Sequence, residues 1–402
     1  MKTSRFPSIL LLALALAAGF ASPPALPGGR ETKFDSLGQE IVSLVREKFH
    51  DPRAAEAWAA AHDHYGAKAD GPSAFVRLTR SALEELKISH TGYYTRGDPE
   101  YYGLLAIFRE GLGIRSVGYE SIGADFTEEG FVRSVFAGGP AEAAGLRRGD
   151  RVLGADGHEF RPVLSFQGRA GRRVILAVER AAGAPPAEVA VVPRRVDPEK
   201  EWMEAQARGT RLIRRDGATI AYVPLFSCAG ELYAEALREA IGGKLREARA
   251  LVLDFRNGWG GCSPDFLNLF NGAVPALTSI GRDGKEQVFD LQWRGPLYVL
   301  INGGTRSGKE LVSYSLKKHR RATLIGQRTA GAVVGGSCFL LSDRSLLYLA
   351  VADSRVDGER LEGVGVAPDV EVEDALPYAG GTDPQMEKAL EMAMKPAAGP
   401  PA

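Results

Sequence analysis

Leu297-Tyr298-Val299-Leu300-Ile301-Asn302-Gly303-Gly304-Thr305-Arg306-Ser307-Gly308-Lys309-Glu310 runs from an apolar segment through a glycine-rich turn to a serine where a helical pattern begins. The continuous apolar run fits a strand buried on both faces. The spacing after it predicts a helix from about Gly308 to Lys318. A serine so placed serves chemistry, because free N–H groups and the positive end of the helix dipole stabilise an anion beside the hydroxyl. The same placement serves a cap, since Ser is a favoured N-cap and Glu310 completes an S-x-x-E capping box. This stretch alone leaves both readings open.

Working outward, the flanks alternate strand and helix. Thr219–Val223 and Ala250–Phe255 read as strands, with an amphipathic helix at Leu232–Arg246 between them. Further strands are predicted at Ala322–Ile325 and Ser345–Ala350. The fold class is α/β. Residues 33–87 are mostly helical, with apolar spacing over Phe34–Phe49 and Ala74–Leu86. Short β-like segments follow at Gly130–Phe136, Arg151–Ala155, Arg173–Val178 and Glu188–Val192. Between the first two, Pro140 starts a short helix and Gly145 ends it.

The chain has 402 residues, which implies two or three cores. Its 50 Lys plus Arg balance its 50 Asp plus Glu. That balance argues against nucleic acid as a partner. Lys2 and Arg5, the apolar run Ile9–Ala18, and the small residues Gly19 and Ala21 form an export-signal pattern, with cleavage expected after Ala21. The run is too short to span a bilayer, so no stable membrane span is expected after cleavage. Three cysteines, Cys228, Cys262 and Cys338, allow at most one internal disulfide. None has metal-ligand spacing, and His62-Asp63-His64 does not share one helical face, so no metal is expected. No cofactor is implied.

The motifs around Ser307 carry a resemblance. Asn302-Gly303-Gly304-Thr305-Arg306-Ser307-Gly308-Lys309-Glu310 resembles the nucleophile turn of the C-terminal-processing (tail-specific) serine peptidases. Gly326-Gln327-Arg328-Thr329-Ala330-Gly331 resembles that family's Gly-x-x-Thr-x-Gly segment, and Leu251–Gly261 its Leu-Asp-Leu-Arg-x-Asn-x-Gly-Gly signature. Gly138-Gly139-Pro140-Ala141-Glu142-Ala143-Ala144-Gly145-Leu146-Arg147-Arg148-Gly149-Asp150 resembles a PDZ domain. The resemblance implies a ClpP/crotonase-like catalytic domain at 218–395. Before it come a PDZ-like β module at 118–195 and a connector at 196–217. An N-terminal helical region at 22–117 follows a signal peptide at 1–21, and a disordered tail at 396–402 ends the chain.

The resemblance makes Ser307 the nucleophile, and the base must then be found. Ser/Lys members place a lysine 25 residues after the serine, where this chain has Ala332. Lys309 is no substitute, since i,i+2 side chains on a helix do not face each other. The tricorn-type branch uses Ser, His and Glu instead, and Ser89-His90-Thr91-Gly92 looks like its histidine block. His90 is therefore the expected general base, a natural partner for serine near pH 7. Glu362, before the Gly363–Asp369 segment, is the expected orienting acid, with Ser89 bonded to it. The oxyanion hole is expected from the N–H groups of Gly308 and of Gly260 or Gly261. The PDZ resemblance implies capture of a polypeptide C-terminus near Ile122, Gly123, Ala124 and Phe126. The implied protein is an exported, periplasmic or secreted serine endopeptidase acting on polypeptides. The alternative is an inactive peptide-binding protein on the same fold. Acyl-CoA chemistry on a crotonase-like fold conflicts with the export signal.

Overall fold

A computed structural model describes residues 33–395; the segments expected as signal peptide, lead and tail lie outside the described residues. The described residues begin with the helices α1 (Lys33–Lys48), α2 (Pro52–Ala61) and α3 (Pro72–Glu84). Leu37, Ile41 and Val45 form one buried stripe along α1. The Asp51 carboxylate caps α2 by accepting from Arg53 and Ala54 N–H. A short strand, β1 (Gly92–Tyr94), and helix α4 (Pro99–Ile107) follow.

Next comes a small β module. It contains β2 (Tyr119–Ser121), β3 (Ala124–Phe126), β4 (Val132–Val135), helix α5 (Pro140–Ala143), β5 (Arg151–Ala155), β6 (His158–Glu159), β7 (Val174–Glu179), β8 (Ala187–Val191) and β9 (Arg194–Val196). Ile122, Val132, Leu146, Val152, Leu176 and Val189 fill its core. Residues 196–217, expected as a connector, hold helix α6 (Pro198–Gly209) and strand β10 (Arg211–Arg215). Asp197 caps α6 and Pro198 occupies its first turn, a start signal present in the sequence.

The main domain continues with β11 (Ala218–Pro224), α7 (Glu231–Gly242), β12 (Ala250–Asp254), β13 (Leu277–Ile280), β14 (Glu286–Phe289), β15 (Leu297–Ile301), α8 (Gly308–Lys318), β16 (Thr323–Gly326), β17 (Gly335–Leu340), β18 (Leu346–Ala352), β19 (Val370–Glu371) and α9 (Pro384–Met394). Helix α7 stops short of the expected Arg246, at the pair Gly242-Gly243. A six-stranded sheet has the order β10-β11-β12-β15-β16-β19. All its pairs are parallel except the edge pair β10–β11. Side chains alternate across it. Leu251 and Leu253 pack with Leu237 of α7 and Val312 of α8 on one face. Ala250 and Val252 pack with Ala389 and Leu390 of α9 on the other. That two-sided burial explains why β12 and β15 are apolar without alternation.

One pairing matters most for the site. Strand β1, two residues after His90, runs antiparallel to β18 with Gly92 opposite Tyr348. Leu347 and Leu349 of β18 share a core with Leu37, Ile41 and Val45 of α1. The N-terminal helical unit is thus welded to the main domain, with β1 as an edge of the three-stranded sheet β1-β18-β17. Among the described residues, no helix is long and apolar enough to cross a membrane.

Candidate active site

Strands β12, β15 and β16 are parallel neighbours. The loops leaving their carboxyl ends therefore lie side by side, the usual place for a site in such a sheet. The loop after β15 ends at Ser307, whose φ of 56° and ψ of −127° lie where few residues other than glycine sit. Such a conformation stores strain and needs outside support. Ser307 N–H donates to Ala332 O at 2.8 Å and to Glu310 Oε2 at 3.1 Å. Glu310 is fully buried and also accepts from Ala332 N–H at 2.8 Å, Gly331 N–H at 2.7 Å and Thr329 Oγ1 at 2.6 Å. Burial pushes its carboxyl upward, and those hydrogen bonds oppose the shift. Glu310 thus fastens the serine turn to the loop after β16, a role beyond the cap that its spacing suggested.

The loop after β12 comes equally close. A Cβ placed on Gly260 would stand 2.6 Å from Ser307 Cβ and 3.1 Å from Gly308 N, and one on Gly308 would stand 2.4 Å from Cys262 N. Glycine is therefore required at both positions to let the two main chains approach. Neither the Gly260 nor the Gly308 N–H donates to another main-chain group among the described residues. Gly261, with φ of 91°, packs against Ala229 instead. Asn302 Oδ1 accepts from Asn257 N–H at 3.2 Å and from Gly304 N–H at 3.0 Å, which ties this loop to the serine loop. A disulfide joins Cys228 to Cys262, while Cys338 is free and buried.

On the other side stand Ser89, His90 and Glu362. Ser89 Oγ is 2.8 Å from His90 Nδ1 and donates to Glu362 Oε2 at 2.9 Å. Ser89 N–H donates to Glu362 Oε1 at 2.9 Å. Val333 and Val334 N–H donate to Oε2 at 2.7 and 3.2 Å. These bonds fix the direction of the network. An ionised carboxylate only accepts, so the Ser89 proton points to Glu362 and the Ser89 oxygen must accept from Nδ1–H. The neutral His90 ring is then left with a lone pair on Nε2, ready for a proton. Burial pushes the His90 pKa down to about 4; the Glu362 charge opposes this and the Arg306 charge adds to it. Burial alone would raise Glu362, but its hydrogen bonds from Val333, Ser89 and Val334 hold it below the ordinary range.

The Ser307 hydroxyl makes no direct hydrogen bond to the His90 ring among the described residues. Short main chain links the two halves: Ala332 O holds Ser307, and the next two residues hold Glu362. Such contacts commonly tighten only when substrate is bound. Ala332, where the Ser/Lys pattern has its lysine, contributes only main-chain bonds. The other histidines lie elsewhere: His50 N–H donates to Ala350 O, His62 is bonded to Glu85, His64 to Asp35, His158 lies on β6, and His319 ends α8. In the β module, Ile122 and Gly123 carbonyls accept from Ala141 and Phe136 N–H at 2.7 and 2.8 Å. Ala124 and Phe126 lie on β3. Pro99 and Glu100 of α4 face these residues across a small cleft.

If His90 serves as a general base, its low pKa displaces the acid limb from that of an ordinary histidine. Activity is lost as pH falls through the pKa of the base, so kcat/KM should persist to about pH 5 and fall toward about pH 4. A pH profile with its acid midpoint between about 6 and 7, the ordinary histidine range, would count against His90 as the titrating group.

Residues 219–372 match the model of peptidase family S41, and residues 105–166 that of the PDZ domain. The carboxyl-terminal-processing protease of Synechocystis sp. is 28% identical over 334 residues, covering 78% of this chain and 76% of that protein. The putative tricorn protease homolog 2 of Streptomyces coelicolor is 26% identical over 385 residues, covering 89% of this chain but only 32% of that protein. In fold, the chain resembles the photosystem II D1 C-terminal processing protease, with a TM-score of 0.51 at 24% identity, covering 88% of this chain and 99% of that one. It also resembles the tricorn protease, with a TM-score of 0.53 at 20% identity, covering 90% of this chain and 36% of that one.

Proposed function

We infer that this chain, a serine peptidase built from a family S41 peptidase domain and a PDZ domain, cleaves polypeptides through an acyl-enzyme formed on Ser307. His90 Nε2 takes the Ser307 proton as the hydroxyl attacks the scissile carbonyl. The Gly308 N–H and that of Gly260, with Gly261 as the other candidate, receive the oxyanion. His90 then passes its proton to the leaving amine, and water repeats the sequence on the ester. Glu362 acts through Ser89: it holds the ring in the Nδ1–H tautomer and balances the imidazolium charge. The observation that carries the reading is the Ser89 hydroxyl set between His90 Nδ1 and Glu362 Oε2, at 2.8 and 2.9 Å.

The relatives' names point to cleavage near a polypeptide C-terminus. We extend that to this chain, with the end captured by strand addition at Ile122, Gly123, Ala124 and Phe126. The pattern from Lys2 to Ala21 supports action outside the cytoplasm, in the periplasm or beyond the cell.

A serine-directed fluorophosphonate tests the core of the reading. Mass spectrometry of the folded protein should find one adduct, on Ser307, with loss of cleavage of an unstructured polypeptide in proportion to labelling. A folded protein that takes up no label at Ser307 and cleaves nothing would be a binding protein instead.

A further inference from the structure

Lys309 lies two residues after Ser307, and the proposed reaction does not use it. It is completely buried, at 0% exposure. Lysine is almost never buried without partners, because the lost hydration must be replaced. Here Nζ donates to Leu225 O at 2.6 Å and to Asn257 O at 2.9 Å. Burial brings its pKa down to about 7, with the Asp254 charge opposing the shift.

The two carbonyls belong to different loops. Leu225 opens the loop after β11, and Asn257 leads into the Gly258–Cys262 loop after β12. Trp259 N–H to Phe226 O at 2.8 Å, Cys228 N–H to Gly260 O at 3.0 Å and the Cys228–Cys262 disulfide bind these loops to each other. Lys309 differs from those ties, because its stem starts in the first turn of α8, beside Ser307 and Gly308. It therefore connects the loop pair to the serine. The loop also needs holding: Asn257, Gly258 and Gly261 all have positive φ, at 54°, 64° and 91°.

We propose that Lys309 is a positioning residue that sets the Gly260 N–H against Ser307 and the Gly308 N–H, so that the oxyanion hole is formed before substrate arrives. This rests on the assignment of Ser307 and the oxyanion hole given above. Donors to an oxyanion must lie about 2.7–3.1 Å from it, so a small shift of the Gly260 loop removes most of its effect. Ground-state binding, made along the rest of the substrate, does not depend on that distance.

The test compares the wild type with Lys309→Met, Lys309→Gln and Ser307→Ala on an unstructured polypeptide. It measures kcat, KM, the rate of fluorophosphonate inactivation and the melting temperature. Methionine fills the stem volume and leaves both carbonyls unpaired. It should lower kcat and the inactivation rate about 100-fold, with KM within about threefold of wild type. Glutamine can donate to one carbonyl and should restore about tenfold of that loss. A folded Lys309→Met that keeps kcat within about threefold, or one that raises KM alone, overturns the proposal. Failure of both variants to fold overturns it too, since Lys309 would then serve the core and not the loop. A wild type that neither cleaves nor labels removes the Ser307 reading itself, and this proposal with it.

Discussion

Ser307→Ala should lower kcat on an unstructured polypeptide by about 10⁴-fold or more, and His90→Ala should cost about as much. The double variant should be no worse than either single one. The reason is that nucleophile and base are one device: a hydroxyl with no base and a base with no hydroxyl both leave only the oxyanion donors and binding. KM should change little, because neither side chain is the main source of substrate affinity. Ser307→Ala keeps its Cβ in the same backbone conformation and keeps the N–H bonds to Ala332 and Glu310, so stability should hold. The comparison is read from initial rates at saturating substrate. Losses that multiply in the double variant would mean that the two residues act independently, and cleavage by Ser307→Ala at the wild-type rate would remove the nucleophile altogether.

Glu362→Gln should have the next largest effect, a fall in kcat of about 10²–10³-fold. The carboxylate receives four hydrogen bonds, from Ser89 N–H, the Ser89 hydroxyl, and Val333 and Val334 N–H. An amide of the same shape puts its NH₂ against at least one of these donors. The least costly arrangement turns it toward Ser89 N–H and keeps the carbonyl on the other three. Stability should then drop by about 1–3 kcal/mol from the unsatisfied donor. The larger loss is chemical, because the His90 imidazolium formed during attack no longer has an anion behind Ser89. Chemical denaturation and kinetics on the same preparation separate the two effects. A variant with wild-type kcat and only reduced stability would make Glu362 a structural acid.

The alternation of strands and helices from 218 onward was legible because parallel strands buried on both faces must be apolar throughout, as β12 and β15 are. The small β module was legible from its Pro140 and Gly145 punctuation. What the sequence hid was order without apolar pattern. Residues 198–215 are charged, so they look like a linker, yet α6 is buried along Trp202 and Ala205, and β10 finds a sheet edge. For the candidate site, the sequence offers only local marks: a serine after glycines, and a histidine after a serine. It was illegible where the wiring is three-dimensional. Glu310 looks like a cap, and only the folded chain reveals that it also holds Thr329, Gly331 and Ala332. Along a helix Lys309 cannot face Ser307, two residues before it. Its carbonyl partners lie 84 and 52 residues away in the chain.

The pairing of β1 with β18 makes the machinery a closed circuit between positions 90 and 362. A ribosome that has released Ser307 has not yet made the acid that steadies its base, nor the strand that draws His90 inward. On this assignment the proposed set of His90, Ser307 and Glu362 is incomplete until residue 362 has been made.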